Sequence, residues 1–143
     1  MERGRTEIKV WVNGSFDVLH LGHIKLLEYA SSLGKVRVGL DTDERIKIKK
    51  GSNRPYNNLN ERTEFISSIK YVDSVVTFST DEELENCIKD YNPDIMVIGG
   101  DYKTSKIIGE ELIPKIYFFE RIENKSTTRI LNYEDTSSRG TVY

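Results

Sequence analysis

The sequence predicts a doubly wound α/β fold, built on a single parallel sheet of about five strands with helices on both faces. Short apolar runs alternate with segments of helical periodicity along most of the 143 residues. The apolar runs are bounded by turn residues, as strands are, and the segments between them repeat their apolar residues at helical spacing. Because parallel strands need a crossover connection, this alternation predicts successive βαβ units with right-handed crossovers.

The first βαβ unit lies near the start of the chain. Residues 8–12 alternate and are rich in β-branched side chains, and residues 13–15 break the strand. From Gly22 onward, apolar residues recur at helical spacing, and residues 36–40 form a second apolar strand. These observations predict a strand, a turn, a helix and a second strand parallel to the first.

The remaining elements continue the same alternation. The predicted helices and strands are a helix at 60–69 opened by an Asn cap, a strand at 74–78, a helix at 81–90, strands at 95–98 and 116–119, and a last helix within 126–132. Residues 95–98 are wholly apolar, which is typical of a central strand. We therefore expect one Rossmann-like domain over residues 1–143, with a core at about 8–131 and a loose polar tail at 134–143.

Composition and charge exclude several classes of function. Hydrophobic residues make up 37% and charged residues 31% of the chain, a mixture typical of a globular protein. The formal charge of −2 argues against nucleic acid as a partner, and no apolar run approaches the roughly 20 residues of a membrane span. The single cysteine, Cys87, permits no intramolecular disulfide, so we expect a cytoplasmic protein without a membrane anchor.

Ligands of doubly wound folds bind beyond the carboxyl ends of the strands, near the point where the strand order reverses. The sequence therefore predicts a ligand site among four loops, those that follow Val12, Leu40, Ile98 and Phe119. An anionic substrate must be met in these loops by local positive charge, because the chain as a whole carries none in excess.

The first loop combines glycines, two histidines and a predicted helix start. Gly14 and Gly22 allow the backbone to approach a ligand closely, and the helix start offers N–H groups to a phosphate. His20 and His23 are spaced to lie on one face, where their ring nitrogens can donate to phosphate oxygens. Paired imidazoles of this kind stabilise the charge that develops in phosphoryl-type transfer. A zinc site is disfavoured because no further histidine completes it.

This loop resembles the signature of the cytidylyltransferase-like superfamily, whose H-x-G-H motif matches residues 20–23. The resemblance implies a nucleotidyltransferase, in which an acceptor phosphate attacks the α-phosphorus of a nucleoside triphosphate and releases pyrophosphate. No covalent enzyme intermediate is expected. The resemblance implies catalytic roles for His20 and His23. It further implies contacts with the nucleotide or the acceptor from six other residues: Asn13, Gly14, Ser15, Phe16 and Gly22 with the nucleotide, and Asp17 with the acceptor.

Four basic residues follow the second strand, between Arg45 and Lys50. Their placement predicts a mobile loop whose lysines clamp a triphosphate or a phosphorylated acceptor. Either Lys49 or Lys50 is the catalytic clamp, and the sequence does not choose between them. The lysine, glycine, arginine and proline within residues 50–55 resemble the corresponding loop of bacterial ADP-heptose synthases, which implies a substrate contact from Arg54.

The next helix and the third loop add further candidates. Arg62 resembles the basic helix residue that the family uses near the acceptor, and its alternative role is a surface ion pair. Gly99 and Gly100 follow the apolar strand and let a base or ribose lie against the backbone. Asp101 can accept a hydrogen bond from a hydroxyl or an exocyclic amine, although a simple tight turn is the alternative for this loop.

The fourth loop resembles the second signature of the family, an S-T-T run that holds the β- and γ-phosphates. Ser126, Thr127 and Thr128 match this run and also suit the start of a helix. Arg121 matches the catalytic arginine that precedes it in the family. Asn124 departs from the pattern, because the family usually has glycine there.

Three functions remain open at the level of sequence. The loops favour adenylyl transfer from ATP to heptose 1-phosphate, as in ADP-heptose synthase. Residues 23–28 and the surroundings of Tyr71 are instead similar to the CTP-dependent glycerol-3-phosphate cytidylyltransferases. The third alternative is a non-catalytic nucleotide-binding module, against which both intact signatures count. The family implies Mg²⁺ carried by the triphosphate, with no side-chain ligands of its own, and a homodimer.

Overall fold

The computed structural model describes residues 7–99, 106–120 and 129–132. Within these ranges six strands form one sheet in the order β3-β2-β1-β4-β5-β6. The elements, in chain order, are β1 (Lys9–Gly14), α1 (Leu21–Leu33), β2 (Lys35–Asp41), α2 (Asp43–Lys50), α3 (Leu59–Ser67), β3 (Ser74–Phe78), α4 (Asp81–Tyr91), β4 (Ile95–Gly99), β5 (Lys115–Glu120) and β6 (Arg129–Asn132).

The α/β class predicted from the sequence is confirmed. Strands β1 to β5 pair in parallel, and β6 pairs with β5 in the antiparallel direction. The chain moves from β1 outward to β2 and β3, and then returns to the other side of β1 to place β4 and β5. The strand order therefore reverses between β1 and β4, and the loops that follow these two strands border the crevice where ligands of this fold class bind.

Alternation along β1 explains why both faces of the sheet are covered. Val10 and Val12 belong to a core that includes α1 and α3, whereas Trp11 belongs to a second core that includes α4. All three side chains are at most 1% exposed. Because successive side chains of a strand point to opposite faces, a strand buried on both sides must be apolar throughout, as this one is.

The predicted closing helix is wrong for residues 129–132. These residues form β6, in which Ile130 lies opposite Phe119 and Arg129 lies opposite Glu120. The physical reason is the edge of the sheet: without β6, one side of β5 would present unpaired backbone N–H and C=O groups. The rest of the predicted segment, 126–128, and the predicted tail at 134–143 lie outside the described residues.

The predicted mobile loop at residues 45–50 is also wrong, because these residues belong to helix α2. The Thr42 hydroxyl caps the helix by accepting a hydrogen bond from the backbone N–H of Arg45 at 3.3 Å. Two acidic residues lie in its first turn and three lysines in its last turn, as the helix dipole favours. The basic run is therefore both a helix C-terminal turn and a source of positive charge.

Helix α3 begins one residue earlier than predicted, and its cap is Asn58 rather than Asn60. The Asn58 side chain accepts from the Glu61 backbone N–H at 2.9 Å, and Glu61 accepts in return from the Asn58 N–H at 3.1 Å. This reciprocal capping box outcompetes Asn60, which has no acid three residues later.

We predict that Gly39→Ala destabilises the protein by about 1–3 kcal/mol, the usual range for overpacking a core. A Cβ at Gly39 would lie 2.6 Å from the Trp11 ring and 3.0 Å from the Phe78 ring. Urea unfolding followed by circular dichroism measures the change. The matched control is Gly14→Ala, whose added carbon would lie 3.4 Å from its nearest neighbour. Equal unfolding free energies for the two variants would contradict this account of the packing at Gly39.

Candidate functional site

Two histidines form the cap of helix α1, at the carboxyl end of the central strand. The Nδ1 atom of His20 accepts a hydrogen bond from the Gly22 N–H at 3.1 Å. The Nδ1 atom of His23 accepts from the backbone N–H of His20, also at 3.1 Å. Their rings stack with centroids 3.9 Å apart. The two imidazoles thus take the places that Ser or Thr and Glu occupy in an ordinary capping box.

This cap determines which nitrogen of each imidazole carries the proton. A neutral imidazole has one acceptor nitrogen and one donor nitrogen. Because Nδ1 of both His20 and His23 accepts a backbone N–H bond, each neutral ring carries its proton on Nε2. Both side chains therefore present Nε2–H as a donor, which is the group that a phosphate oxygen requires.

The turn before the histidines is held in an unusual backbone conformation. Phe16 and Val18 have φ values of 49° and 61°, in the left-handed region that β-branched and bulky residues rarely adopt. Phe16 is buried, and its ring lies 5.1 Å from that of His23, centroid to centroid. Such strain persists only where surrounding contacts over-determine it, and it is concentrated at functional sites.

Asp17, between these two residues, supplies contacts that hold the turn. Its carboxylate accepts the backbone N–H groups of Tyr56 at 2.8 Å and Asn57 at 2.9 Å, and lies 3.4 Å from the Arg54 guanidinium. Burial alone raises the pKa of Asp17, but the bonds from Asn57, Tyr56 and Arg54 outweigh it and bring the pKa below its ordinary value. Asp17 is therefore ionised, and it joins residues 54–57 to the turn at residues 15–20, which we call the histidine turn.

A cleft of about 180 Å³ opens beside His23. Its walls come from the end of β1, the start of α1, Gly99 of β4 and Phe119 of β5. Leu26 and Phe119 make part of the wall apolar. All six of the described residues that the sequence predicted to contact a nucleotide line this cleft: Asn13, Gly14, Ser15, Phe16, Gly22 and Gly99.

A second cavity of about 400 Å³ lies on the other side of the β1 end. Both Lys49 and Lys50 line it, so the structure brings both candidate lysines to the crevice. The two cavities share residues 13–15 and Gly99 as a common wall. A group bound by the lysines and a group bound beside His23 are thus separated only by the backbone at the end of β1.

The sequence analysis missed several residues of this second cavity. Asp41 and Arg45 contribute polar atoms, and Ile107 and Ile108 contribute an apolar wall. Arg45 is almost fully buried, and its guanidinium bonds Asp41 at 2.8 Å. The available signal was the capping residue Thr42 followed by Asp43 and Glu44, which indicates the start of the helix that carries Arg45.

Arg54 lies away from these two cavities. It lines a third cavity of about 340 Å³ with Lys47 and Tyr56, and its guanidinium lies 4.7 Å from the centre of the Tyr56 ring. This cavity lies between the start of α3 and α2, the helix that carries Lys49 and Lys50 and that we call the lysine helix. The predicted contact between Arg54 and a substrate stays a prediction.

Arg62 is fully buried, in contrast to a surface ion pair. Its guanidinium donates to three backbone carbonyl oxygens and to the Asp43 carboxylate, which lies 2.6 Å from Nη2. Each nitrogen of the guanidinium thus donates to a protein oxygen, and the acceptors lie on three different segments of the chain. A substrate contact from Arg62 stays a prediction.

Six predicted site residues lie outside the described ranges, so their roles stay predictions: Gly100, Asp101, Arg121, Ser126, Thr127 and Thr128. In the ranges that the structure does describe, no cluster of three or more His, Cys, Asp and Glu side chains is arranged to hold a metal ion. Over those same residues, no helix has the length and apolar character needed to cross a bilayer.

Comparison with known proteins identifies relatives for nearly the whole chain. Residues 11–136 match the model of the cytidylyltransferase-like family. The bifunctional protein HldE of Campylobacter fetus is 41% identical over 124 residues, which are 86% of this chain and 27% of that protein. The HldE protein of Nitratiruptor is 42% identical over 85% of this chain and 26% of its own length. The chain thus spans about a quarter of the curated relatives it matches.

Two solved structures are similar to the fold. A lipopolysaccharide core biosynthesis protein from Thermoplasma volcanium is 30% identical with a TM-score of 0.61, over 69% of this chain and 80% of that one. A protein of unknown function from Archaeoglobus fulgidus has the same TM-score of 0.61 at 23% identity, over 87% and 97% of the two chains. The second likeness concerns the fold alone.

We predict that the neutral rings of His20 and His23 are Nε2–H tautomers. The reason is that each Nδ1 accepts a backbone N–H bond of the α1 cap. Two-bond ¹H–¹⁵N correlation spectra of ¹⁵N-labelled protein distinguish the tautomers directly. An Nδ1–H tautomer for either ring would contradict the capping geometry. The unfolded protein in urea, in which the cap is absent, is the control.

Proposed function

Since the chain belongs to the cytidylyltransferase-like family and is a nucleotidyltransferase, we propose that it transfers adenylate from ATP to a heptose 1-phosphate and releases pyrophosphate. The observation that carries the proposal is the histidine-capped start of α1 at the strand-order reversal, which lines one of two cavities that share a wall. One cavity presents the imidazole of His23, with His20 stacked on it, and the other presents Lys49 and Lys50. That pairing suits a reaction between two phosphorylated substrates.

The choice of substrates rests on similarity. The HldE proteins, about 40% identical over most of this chain, are ADP-heptose synthases, and the loops at residues 13–14, 50–55 and 99–102 resemble that family. The chain matches about a quarter of the length of those bifunctional proteins. We therefore propose for this chain only one activity, adenylyl transfer to heptose 1-phosphate. Transfer of cytidylate from CTP to glycerol 3-phosphate is the alternative, supported by the likeness at residues 23–28 and Tyr71.

The two cavities suggest how the substrates divide the crevice. The cleft beside His23 takes the nucleotide, with its α-phosphate near the histidines and the α1 N-terminus. The lysine cavity takes the acceptor, whose phosphate is attracted by Lys49 and Lys50. The sugar hydroxyls would then meet polar groups such as Asp41. Residues 13–15 lie between the two, where the reacting atoms meet.

In the proposed reaction, a phosphate oxygen of the acceptor forms a new bond to the α-phosphorus. The bond from that phosphorus to the bridging oxygen of the β-phosphate breaks, and the electron pair leaves with pyrophosphate. The Nε2–H groups of His20 and His23 donate to the α-phosphate oxygens, on which charge develops in the transition state. Mg²⁺ carried by the triphosphate supplies further neutralisation of charge. The lysines orient the acceptor and offset the repulsion between the two phosphates.

The test measures pyrophosphate release in the presence of Mg²⁺. ATP, CTP, GTP and UTP are each combined with heptose 1-phosphate and with glycerol 3-phosphate. We expect release only with ATP and heptose 1-phosphate, with the product identified by mass spectrometry. Release with CTP and glycerol 3-phosphate would replace the proposal with its alternative. Nucleotide binding by calorimetry without release in any combination would indicate a binding module.

The homodimer stays a prediction, which sedimentation equilibrium tests.

We predict that His23→Ala lowers turnover by about 10²-fold or more, the scale for loss of one transition-state donor. The same change also removes half of the α1 cap, at a cost of about 1 kcal/mol in unfolding free energy. Turnover is measured by pyrophosphate release, and stability by urea unfolding.

The variant His23→Gln separates these two effects. A glutamine at the third helical position completes a capping box, so it retains the bond from the His20 N–H without an imidazole. We expect His23→Gln to be as stable as the wild type but as inactive as His23→Ala. Wild-type turnover in His23→Gln would show that the residue acts only as a cap.

A further inference from the structure

Arg62 carries a positive charge into the interior of the protein. Its side chain is 0% exposed, although it lies on helix α3, whose other face is open to solvent. Burial of an ionised group is costly unless it is paired and its donors are bonded. The protein meets this cost with four hydrogen bonds of 2.6–3.0 Å. A group held at such cost, beside the crevice, requires an explanation beyond the packing of α3.

The four acceptors of Arg62 lie on three segments, two of which contribute residues to the walls of the two cavities. One is the Ser15 carbonyl, in the wall that both cavities share. Two lie where β2 passes into α2, namely the Asp41 carbonyl and the Asp43 carboxylate. The fourth is the Asn57 carbonyl, in the segment before α3. One guanidinium therefore ties the histidine turn to the start of the lysine helix.

The same region has a second tie. The N–H of Asn57 donates to Asp17 of the histidine turn, while the Asn57 carbonyl accepts from Arg62. The backbone at Asn57 is thus clamped from both sides. Since Asp17 and Ser15 belong to the same turn, the Asp17 and Arg62 contacts form a closed loop of hydrogen bonds around the end of β1.

We propose that Arg62 is a positioning residue, which sets the place of the α2 lysines relative to the histidine turn. The inference rests on the proposed function, because the two elements must align an acceptor phosphate with an α-phosphorus. In this role Arg62 acts through its bonds to Ser15, Asp41 and Asp43, and not through contact with a substrate. A misplacement of about 1 Å in such a reaction costs about 10²-fold in rate, so a buried tie far from the phosphates controls turnover.

This role differs measurably from direct binding of the acceptor. A binding arginine would raise the KM for the acceptor when replaced, with the lysine helix left in place. A positioning arginine would lower kcat, because both substrates still bind but their reacting atoms are misaligned. The two roles also differ in geometry, since only the second requires α2 to move when Arg62 changes.

The first test is Arg62→Lys. Lysine retains the positive charge, but its single ammonium group cannot replace the planar guanidinium that reaches all four acceptors. We expect kcat to fall at least about tenfold, with the KM for each substrate within about threefold of the wild type. The matched control is Arg37→Lys in β2, whose guanidinium bonds Ser74 at 2.9 Å and lies over the Tyr91 ring, away from the crevice. Arg37→Lys is expected to keep wild-type kcat. A rise in acceptor KM with normal kcat in Arg62→Lys would overturn the proposal.

A second variant covers the case in which Arg62→Lys does not fold. Asp43→Ala removes the tie between Arg62 and α2 but leaves its three carbonyl bonds in place. The Asp43 side chain is 36% exposed, so its truncation does not open the core. We expect a fall in kcat in the same direction as for Arg62→Lys, with unchanged KM. Wild-type kcat in a folded Asp43→Ala protein would contradict the proposal.

A structural measurement tests the proposal without enzyme activity. Spin labels on Lys25→Cys in α1 and Ile48→Cys in α2 report the separation of the two helices by double electron–electron resonance, in a Cys87→Ser background. Both sites are exposed, Ile48 at 80%. We expect a shifted or broadened distance distribution in Asp43→Ala and Arg62→Lys, and the wild-type distribution in Arg37→Lys. An unchanged distribution in both variants would overturn the positioning role. An inactive wild type, in contrast, would count only against the proposed substrates.

Discussion

The structure depends on one constraint, the burial of β1 on both of its faces and both of its edges. The strand lies between β2 and β4, and its apolar residues supply both cores. Because both edges of β1 are paired, the chain continues from its carboxyl end into a turn, and the buried backbone groups of this turn need hydrogen-bond partners. Three features of the site depend on that turn: the capped start of α1, the part of the shared cavity wall at residues 13–15, and the bonds to Asp17 and Arg62.

The start of α1 shows how stability and chemistry compete at this turn. Ser, Thr, Asn and Asp are the preferred N-cap residues, and each would satisfy the first N–H groups of the helix. The protein uses His20 and His23 instead, so the atoms that cap the helix belong to rings that also present Nε2–H. The cap locks the tautomer and orientation of both rings before any ligand arrives. Preorganised donors of this kind need no rearrangement when charge develops on a substrate.

Most residues that line the cleft beside His23 are close in sequence, since all but Gly99 and Phe119 lie within residues 12–26. The glycines, the two histidines and the helix start fall in one short segment, so the sequence indicates that they lie together, and the resemblance to the family signature implies their roles. Patterns were less informative where two structures compete for the same residues. The lysines of 45–50 suit a solvated loop as well as a helix end, and Thr42 and the acidic residues after it decide for the helix. Residues 129–132 pair as β6 because β5 offers an open edge, which no local pattern reveals.

By itself, the sequence determined the α/β class, the succession of βαβ units and the loop that carries the histidines. The first two follow from short-range periodicity, and the loop follows from its glycines and histidines. Tertiary structure alone decided the roles of Asp17 and Arg62. Arg62 bonds partners 47 and 21 residues away, and Asp17 bonds partners 39 and 40 residues away. A charged residue at such a distance from its partners looks like any exposed charge in sequence. Only the folded chain brings the carbonyls together that make burial of a guanidinium favourable, since hydrogen bonding to several segments at once is a property of their arrangement in space.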